Sequence, residues 1–236
     1  ELLMLYNNIV DRLKAIPGVT DASLIGGMPM TGVSSMDPIA ASDRAYAADR
    51  IPPLRRFFTV APGTFAALGT RIAAGRELTW SDVHNERQVV MIGENFAREY
   101  WGSAQAAVGK QIRSNPNDPW SEIIGVVADV RHDGVEKKAP SAVYWPVRST
   151  YSMAVMVRSS RAGTESLAGE MREAIWSVNR SLPVTDMQTM QAIYDKSMSR
   201  TAFTLSLLGI SGLMALLLAV VGIYAVVSYA VAKRTR

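Results

Sequence analysis

The chain has 236 residues, 48% of them hydrophobic and 19% charged, enough for a sizeable core and unlike a disordered or low-complexity chain. It contains no cysteine and only two histidines, His84 and His132, which excludes disulfide frameworks, thiolate metal sites, cysteine nucleophiles and a three-histidine metal centre. The net charge is +4, but Lys233, Arg234 and Arg236 supply three of the positive charges. Without them 22 basic residues face 21 acidic ones, so no basic face remains to track a nucleic-acid backbone.

In chain order, Leu2, Leu5, Ile9, Leu13 and Ile16 recur at helical spacing, and Pro17-Gly18 stops that helix. Residues 19–25 read as a strand ended by Gly26-Gly27. Residues 26–53 are rich in Gly, Pro, Ser, Ala and Asp without a period and read as a long loop. A strand is expected over 54–60, and over 62–68 a short helix with Pro62 near its first turn. Further strands are expected at 88–92, 111–113, 122–130, 142–146 and 153–158, with a helix at 94–101. Residues 164–178 form the clearest amphipathic helix, with Leu167, Met171, Ile175 and Val178 on one face and Thr164 as its N-cap. A short strand at 183–186 and a helix from Thr189 onward complete the pass. Strands and helices mix without a regular βαβ repeat, which makes the fold class α+β.

From Thr201 to Ala232 there is no charged residue. That run exceeds the roughly 20 apolar residues needed to cross a hydrocarbon core. It predicts a transmembrane helix centred on about 205–227, with Tyr224 and Tyr229 toward the headgroup level. The cluster Lys233-Arg234-Thr235-Arg236 follows directly and assigns that end to the cytoplasm, so residues 1–200 are expected outside it. The chain starts at Glu1 with no earlier apolar span, which predicts a piece of a longer protein with at least one span upstream. Gly212, Ala215, Ala219 and Gly222 share one face of the helix, where small residues let a second helix approach; ordinary membrane-helix composition is the alternative.

Motifs that could carry chemistry fail on inspection. Gly27-Met-Pro-Met-Thr-Gly32-Val33-Ser34 has the glycine spacing of a phosphate loop, but Val33 stands where the lysine belongs and Pro29 removes a donor. Tyr229-x-x-x-Lys233 matches a dehydrogenase pair without any dinucleotide loop. Asp129-Val-Arg-His132-Asp133 gathers two carboxylates and an imidazole, yet side chains at a strand end diverge and Arg131 repels a cation, so a solvated turn is expected. Met28, Met30 and Met36 are thioethers suited to copper(I), but methionine is also common apolar filler. His84 lies between Asp82 and Glu86 with no nucleophile to serve, and Glu136-Lys137-Lys138 reads as a solvated charge run. No catalytic residue, cofactor site or metal site is expected.

Three ordered blocks carry a family resemblance. The first is Val60-Ala-Pro62-Gly63-Thr-Phe65-Ala-Ala-Leu68-Gly69, continuing to Ala74-Gly75-Arg76-Glu77-Leu78-Thr79 and Asp82. The second is Val89-Val90-Met-Ile92-Gly-Glu94-Asn95-Phe96-Ala97-Arg98-Glu-Tyr100-Trp101 with Val108-Gly109-Lys110-Gln111-Ile112. The third is Glu122-Ile123-Ile124-Gly125-Val126-Val127-Ala-Asp129-Val130-Arg131, running to Pro140 and Val143-Tyr144-Trp145-Pro146. With the following span, they resemble the MacB-like periplasmic core domain of ABC-transporter permeases that have an FtsX-like membrane part, including permeases of the duplicated type.

The resemblance implies an extracytoplasmic region of two subdomains: a discontinuous one of about residues 1–60 and 141–200, and an insertion of about 61–140. One transmembrane helix (201–232) and the start of a cytoplasmic segment (233–236) would follow. It implies no catalysis by the chain itself, which would sit in the bacterial inner membrane among lipid. The implied partners are a cytoplasmic ABC ATPase, a second permease unit (dimer partner or duplicated half) and a periplasmic adaptor. Residues 26–53 match the family least and are expected to carry substrate- or partner-specific behaviour. The segment 189–202 has no Gly or Pro, so a coupling helix bearing Lys196 and Arg200 is expected to pass motion between domain and span. Two other readings use the same residues: a membrane-anchored extracytoplasmic binding or sensor module without transport, and an anchored periplasmic enzyme.

Overall fold

The computed structural model describes residues 2–32, 34–46, 51–134, 136–148 and 153–234; in the last helix, side chains are described at 190–198 and 206–223. The chain divides into two compact units, residues 1–190 and 191–236.

The first unit is built on one ten-stranded mixed sheet of order β10-β1-β4-β9-β6-β8-β7-β3, with β2 added on β4 and β5 on β8. Helix α1 (Leu2–Lys14) buries Ile9, Val10 and Leu13 and ends before Pro17-Gly18, where Gly18 takes φ 84°. Strand β1 (Val19–Ile25) runs antiparallel to β10 (Ala154–Ser159). It meets β4 (Leu54–Val60) at one residue pair, Ile25 with Val60. Strand β4 continues parallel to β9 (Ala142–Pro146) over five pairs. β9 joins β6 (Val89–Gly93), which is buried at all five positions and pairs in parallel with β8 (Ser121–Val127). β6 and residues 123–127 of β8 are largely β-branched and apolar, as strands covered on both faces require.

Three apolar cores flank this sheet. One gathers α1, β1 and α6 (Glu165–Val178) through residues such as Leu13, Leu24 and Ile175. A middle one holds Phe58, Phe65, Met91 and Tyr144. The third packs α4 (Glu94–Trp101) and α5 (Ala104–Ala107) over Val90, Ile92, Ile123 and Val126. Thr164 caps α6 by accepting from the Leu167 N–H at 3.3 Å. Gly75, at the end of β5 (Ile72–Gly75) with φ 72°, and Gly125 face a shared close approach. A Cβ on Gly75 would stand 2.2 Å from the Ile124 carbonyl oxygen, and one on Gly125 would stand 2.1 Å from the Arg76 carbonyl oxygen.

Several expectations are corrected. The loop expected over 26–53 contains β2 (Ser35–Pro38) and β3 (Ala40–Ala41), short strands whose weak intrinsic propensity is overridden by pairing with β4 and with β7 (Gln111–Arg113). Helix α2 (Thr64–Leu68) starts after Gly63 at φ 86°, so Pro62 lies outside its first turn. No strand forms over 183–186; Asp186 takes φ 52°, which breaks an extended run, while Val184 packs on the α1/α6 core. β8 stops at Val127, three residues short of the expected end. β5, α3 (Trp80–His84) and α5 are additions.

In the second unit, α7 (Met190–Arg234, 45 residues) is one uninterrupted helix that begins at the last residue of the first unit. Its stretch Ser206–Ile223 is long and apolar enough to cross a membrane.

Candidate functional site

The loop after β1 is not a phosphate cradle. It leads into β2, not into a helix whose free N–H groups could face an anion. Its Met30 N–H is spent on the His132 carbonyl at 2.8 Å. Val33 lies outside the described residues. Met28 packs against the middle core while Met36 is exposed on β2, so the methionines serve different surroundings. No group of three or more His, Cys, Asp or Glu able to hold a metal occurs among the described residues.

The segment 129–133 is not the solvated turn expected. His132 is only 3% exposed, lies flat on Phe58 with ring centroids 3.6 Å apart, and meets the Tyr144 hydroxyl through Nε2 at 3.0 Å. Burial, with the nearby Arg56 charge, pushes its pKa down to about 3, so the ring is neutral. Asp129 reaches the start of α4, accepting from the Asn95 N–H at 2.8 Å and from Arg98 at 2.9 Å, although burial raises its pKa. Asp133 pairs with Arg56 at 2.9 Å, and Arg56 also donates to Ser34. Two loops distant in sequence are thereby locked over the middle core. Glu136, Lys137 and Lys138 are exposed, as expected.

Asp82 is likewise buried. It closes a capping box with Thr79 at the start of α3 and takes Arg76 in a two-pronged pair at 2.6 and 2.9 Å, with Arg87 at 3.2 Å. Its hydrogen bonds to Arg76 hold the carboxyl well below the usual range. The motif Thr79-x-x-Asp82 is a legible cap signal that sequence reading passed over. His84 stacks on Trp80 and lies outward.

An open cleft of about 290 Å³ sits where β2, β4 and the start of β9 meet α4; Met36, Leu54 and Pro140 give it an apolar wall, and Arg55, Arg56, Glu99 and Ser141 a polar one. Arg55 pairs with Glu99, whose second oxygen accepts from Ser141 at 2.9 Å. Beside the cleft, residues 42–46 strap the end of α4. Arg44 donates to the Tyr100 carbonyl at 2.5 Å and lies over the Tyr100 ring, 4.3 Å from its centroid. Asp43 is held by Lys110 and by the Trp101 indole, both at 2.9 Å. The strap falls in the region expected to be an unstructured loop, and the cleft had no sequence signature because four separated segments build it.

On α7, Gly212, Ala215, Ala219 and Gly222 are exposed, with open space around both glycines. Lys196 is exposed on the same helix. The side chains of Arg200, Tyr229, Lys233 and Arg234, and the whole of Arg236, lie outside the described residues.

A family model described as the MacB-like periplasmic core domain matches residues 9–174. Among solved structures, the periplasmic region of MacB from Actinobacillus actinomycetemcomitans is 17% identical, with 73% of each chain covered and a TM-score of 0.49. The extracellular domain of the noncanonic ABC-type transporter YknZ from Gram-positive bacteria is 18% identical over 73% of this chain and 81% of that one, with a TM-score of 0.45. No curated protein matches the chain.

Proposed function

The chain belongs to the MacB-like periplasmic core domain family, and from that premise we propose that it is the non-catalytic permease part of an ABC-type export or mechanotransmission complex. In this reading residues 1–200 are extracytoplasmic, with a discontinuous subdomain (1–60 and 141–200) and an insertion (61–140). Residues 201–232 cross the bacterial inner membrane, and Lys233, Arg234 and Arg236 hold the following segment in the cytoplasm. A cytoplasmic ABC ATPase, separate or fused, supplies the energy. A second permease unit packs on the face of Gly212, Ala215, Ala219 and Gly222.

The observation that supports this reading best is α7. It runs from Met190 into the apolar stretch Ser206–Ile223 without a break, and no Gly or Pro occurs before Gly209. At 1.5 Å per residue its length is about 67 Å. A continuous helix carries tilt along its axis, whereas a flexible linker absorbs it.

Lys196→Pro tests the lever, because proline removes a helical hydrogen bond and kinks the helix at a cost of about 3 kcal/mol. The expected result is loss of transport with ATP hydrolysis by the partner retained, while Lys196→Ala transports like the parent. Transport that survives Lys196→Pro refutes the lever. Purification of the full-length protein from membranes tests the wider reading: an ABC ATPase should accompany it. Repeated recovery without one favours an anchored binding or sensor module.

A further inference from the structure

We propose that His132 is the catch of an acid-operated latch: protonation of its ring expels it from the face of Phe58 and frees the loop of residues 26–32 while the sheet stays folded. The latch joins two loops distant in sequence. The His132 carbonyl accepts the Met30 N–H at 2.8 Å, and that bond helps to hold Met30 at φ 65°, a left-handed conformation that non-glycine residues seldom adopt. The His132 ring lies on Phe58 with centroids 3.6 Å apart, and its Nε2 meets the Tyr144 hydroxyl at 3.0 Å. Its Nδ1 is buried without a hydrogen-bond partner among the described residues. A neutral ring with its proton on Nε2 leaves Nδ1 as a bare lone pair. An imidazolium carries a proton on both nitrogens and strands a charged donor there.

The charged groups around the ring offer an imidazolium no counter-ion. Arg56 on β4 repels it, and the Asp133 carboxylate is engaged by Arg56 at 2.9 Å. Asp129 is turned to α4, where it accepts from the Asn95 N–H and from Arg98; burial raises its pKa, so its own protonation works against release. Arg131 is exposed, burial keeps the Tyr144 phenol on β9 protonated, and residues 26–34 contain no titratable side chain. Attraction to the Phe58 face recovers only part of the cost of burying the charge. Burial, with Arg56, pushes the ring pKa down to about 3, whereas a released histidine titrates near 6.5. The latch is therefore at full strength above pH 6.5 and weakens as pH falls toward 3. Its opening uncovers Phe58 and Met28 in the middle core but breaks no pair between β4 and β9. The latch lies within the first unit and acts whether or not the chain is a permease.

The test uses the full chain in detergent micelles, labelled with 15N-methionine so that NMR reads the amides of Met30 and of Met91 in β6 separately. Hydrogen exchange is measured at pH 7 and at pH 4.5 and corrected for the intrinsic rate at each pH. Protection at Met30 should fall about a hundredfold over that interval, the factor by which a histidine that titrates near 6.5 once released shifts the opening equilibrium. Exchange at Met30 should also be indifferent to low concentrations of urea that accelerate Met91, because a local opening exposes little surface. His132→Phe keeps a ring on Phe58 without a titrating nitrogen, and Met30 protection should then change by less than about threefold between the two pH values. His132→Gln serves as a second non-titrating variant. A fall under about tenfold in the parent overturns the proposal. So does a fall of the parent's size in the variants, which would place the trigger at a carboxylate such as Asp133. Met30 exchange that tracks Met91 in urea overturns it too, since the opening would then be global unfolding.

Discussion

Val90 and Ile92 on β6 and Ile123 and Val126 on β8 have no solvent exposure, whereas Leu208 and Leu218 on α7 are each 72% exposed and Ile223 is 65% exposed. The residue types are alike; the surroundings are not. In the globular unit, apolar side chains find partners on strands and helices contributed by the same chain. Helix α4 shows the usual compromise, burying Phe96, Ala97 and Tyr100 while Glu99 and Arg98 reach polar partners. Between Ser206 and Ile223 no charged residue breaks the apolar surface, so that surface calls for lipid or another helix. Hydrophobicity alone therefore does not distinguish a core strand from a membrane helix; length and the absence of a polar face do.

The sharpest way to break this comparison is paired truncation. Phe96→Ala should cost about 3–5 kcal/mol of unfolding free energy in the globular unit, because it opens a cavity beneath Tyr100. Leu216→Ala on α7 should leave that unit's stability within about 0.5 kcal/mol of the parent. Tryptophan fluorescence separates the two, since Trp80, Trp101, Trp120, Trp145 and Trp176 all precede α7. Equal losses would show that α7 contributes to the globular core.

Asp82 sharpens the polar side of the contrast. Asp82→Asn removes the charge that two arginines share and should cost about 3 kcal/mol, read as a fall in Tm of the same fluorescence transition. A change under 1 kcal/mol would mean that the capping hydrogen bonds suffice without the charge. The smallest effect is a pH slope. His132 has a folded pKa near 3 against 6.5 for the free side chain, so its contribution is complete above pH 6.5 and is lost as pH falls toward 3. Stability should decline by up to about 1.4 kcal/mol per pH unit across that window. His132→Gln should be less stable at neutral pH but flatter between pH 4 and 6.5, as monitored by denaturant titration. An unchanged slope would mean that His132 is not the source of the acid sensitivity in that window; Asp82, whose carboxyl titrates below the ordinary carboxylate range, loses its contribution only at more acid pH.

Elements with local signals were legible. Pro17-Gly18 ended α1, Thr164 capped α6, and the apolar runs of β6 and β9 read as strands at or within a residue of their bounds. β2 was not legible, because Ser35-Met-Asp-Pro38 carries little strand propensity and exists by pairing with Arg55 and its neighbours. The cleft, the strap and the burial of His132 were hidden for the same reason: each joins residues tens of positions apart. Asp82 differs, since its capping box lies within four residues and could have been read.

Fold class, family and the long apolar helix could be read along the chain, because periodicity, caps and an uncharged run act through sequence neighbours. The burial of His132 against Phe58 and Tyr144, despite its charged neighbours, arises from three-dimensional packing. The same packing brings Arg44, Arg55 and Tyr100 together from a strap, a strand and a helix. Those contacts depend on sheet order and on which faces meet, and neither is encoded in any one window of residues.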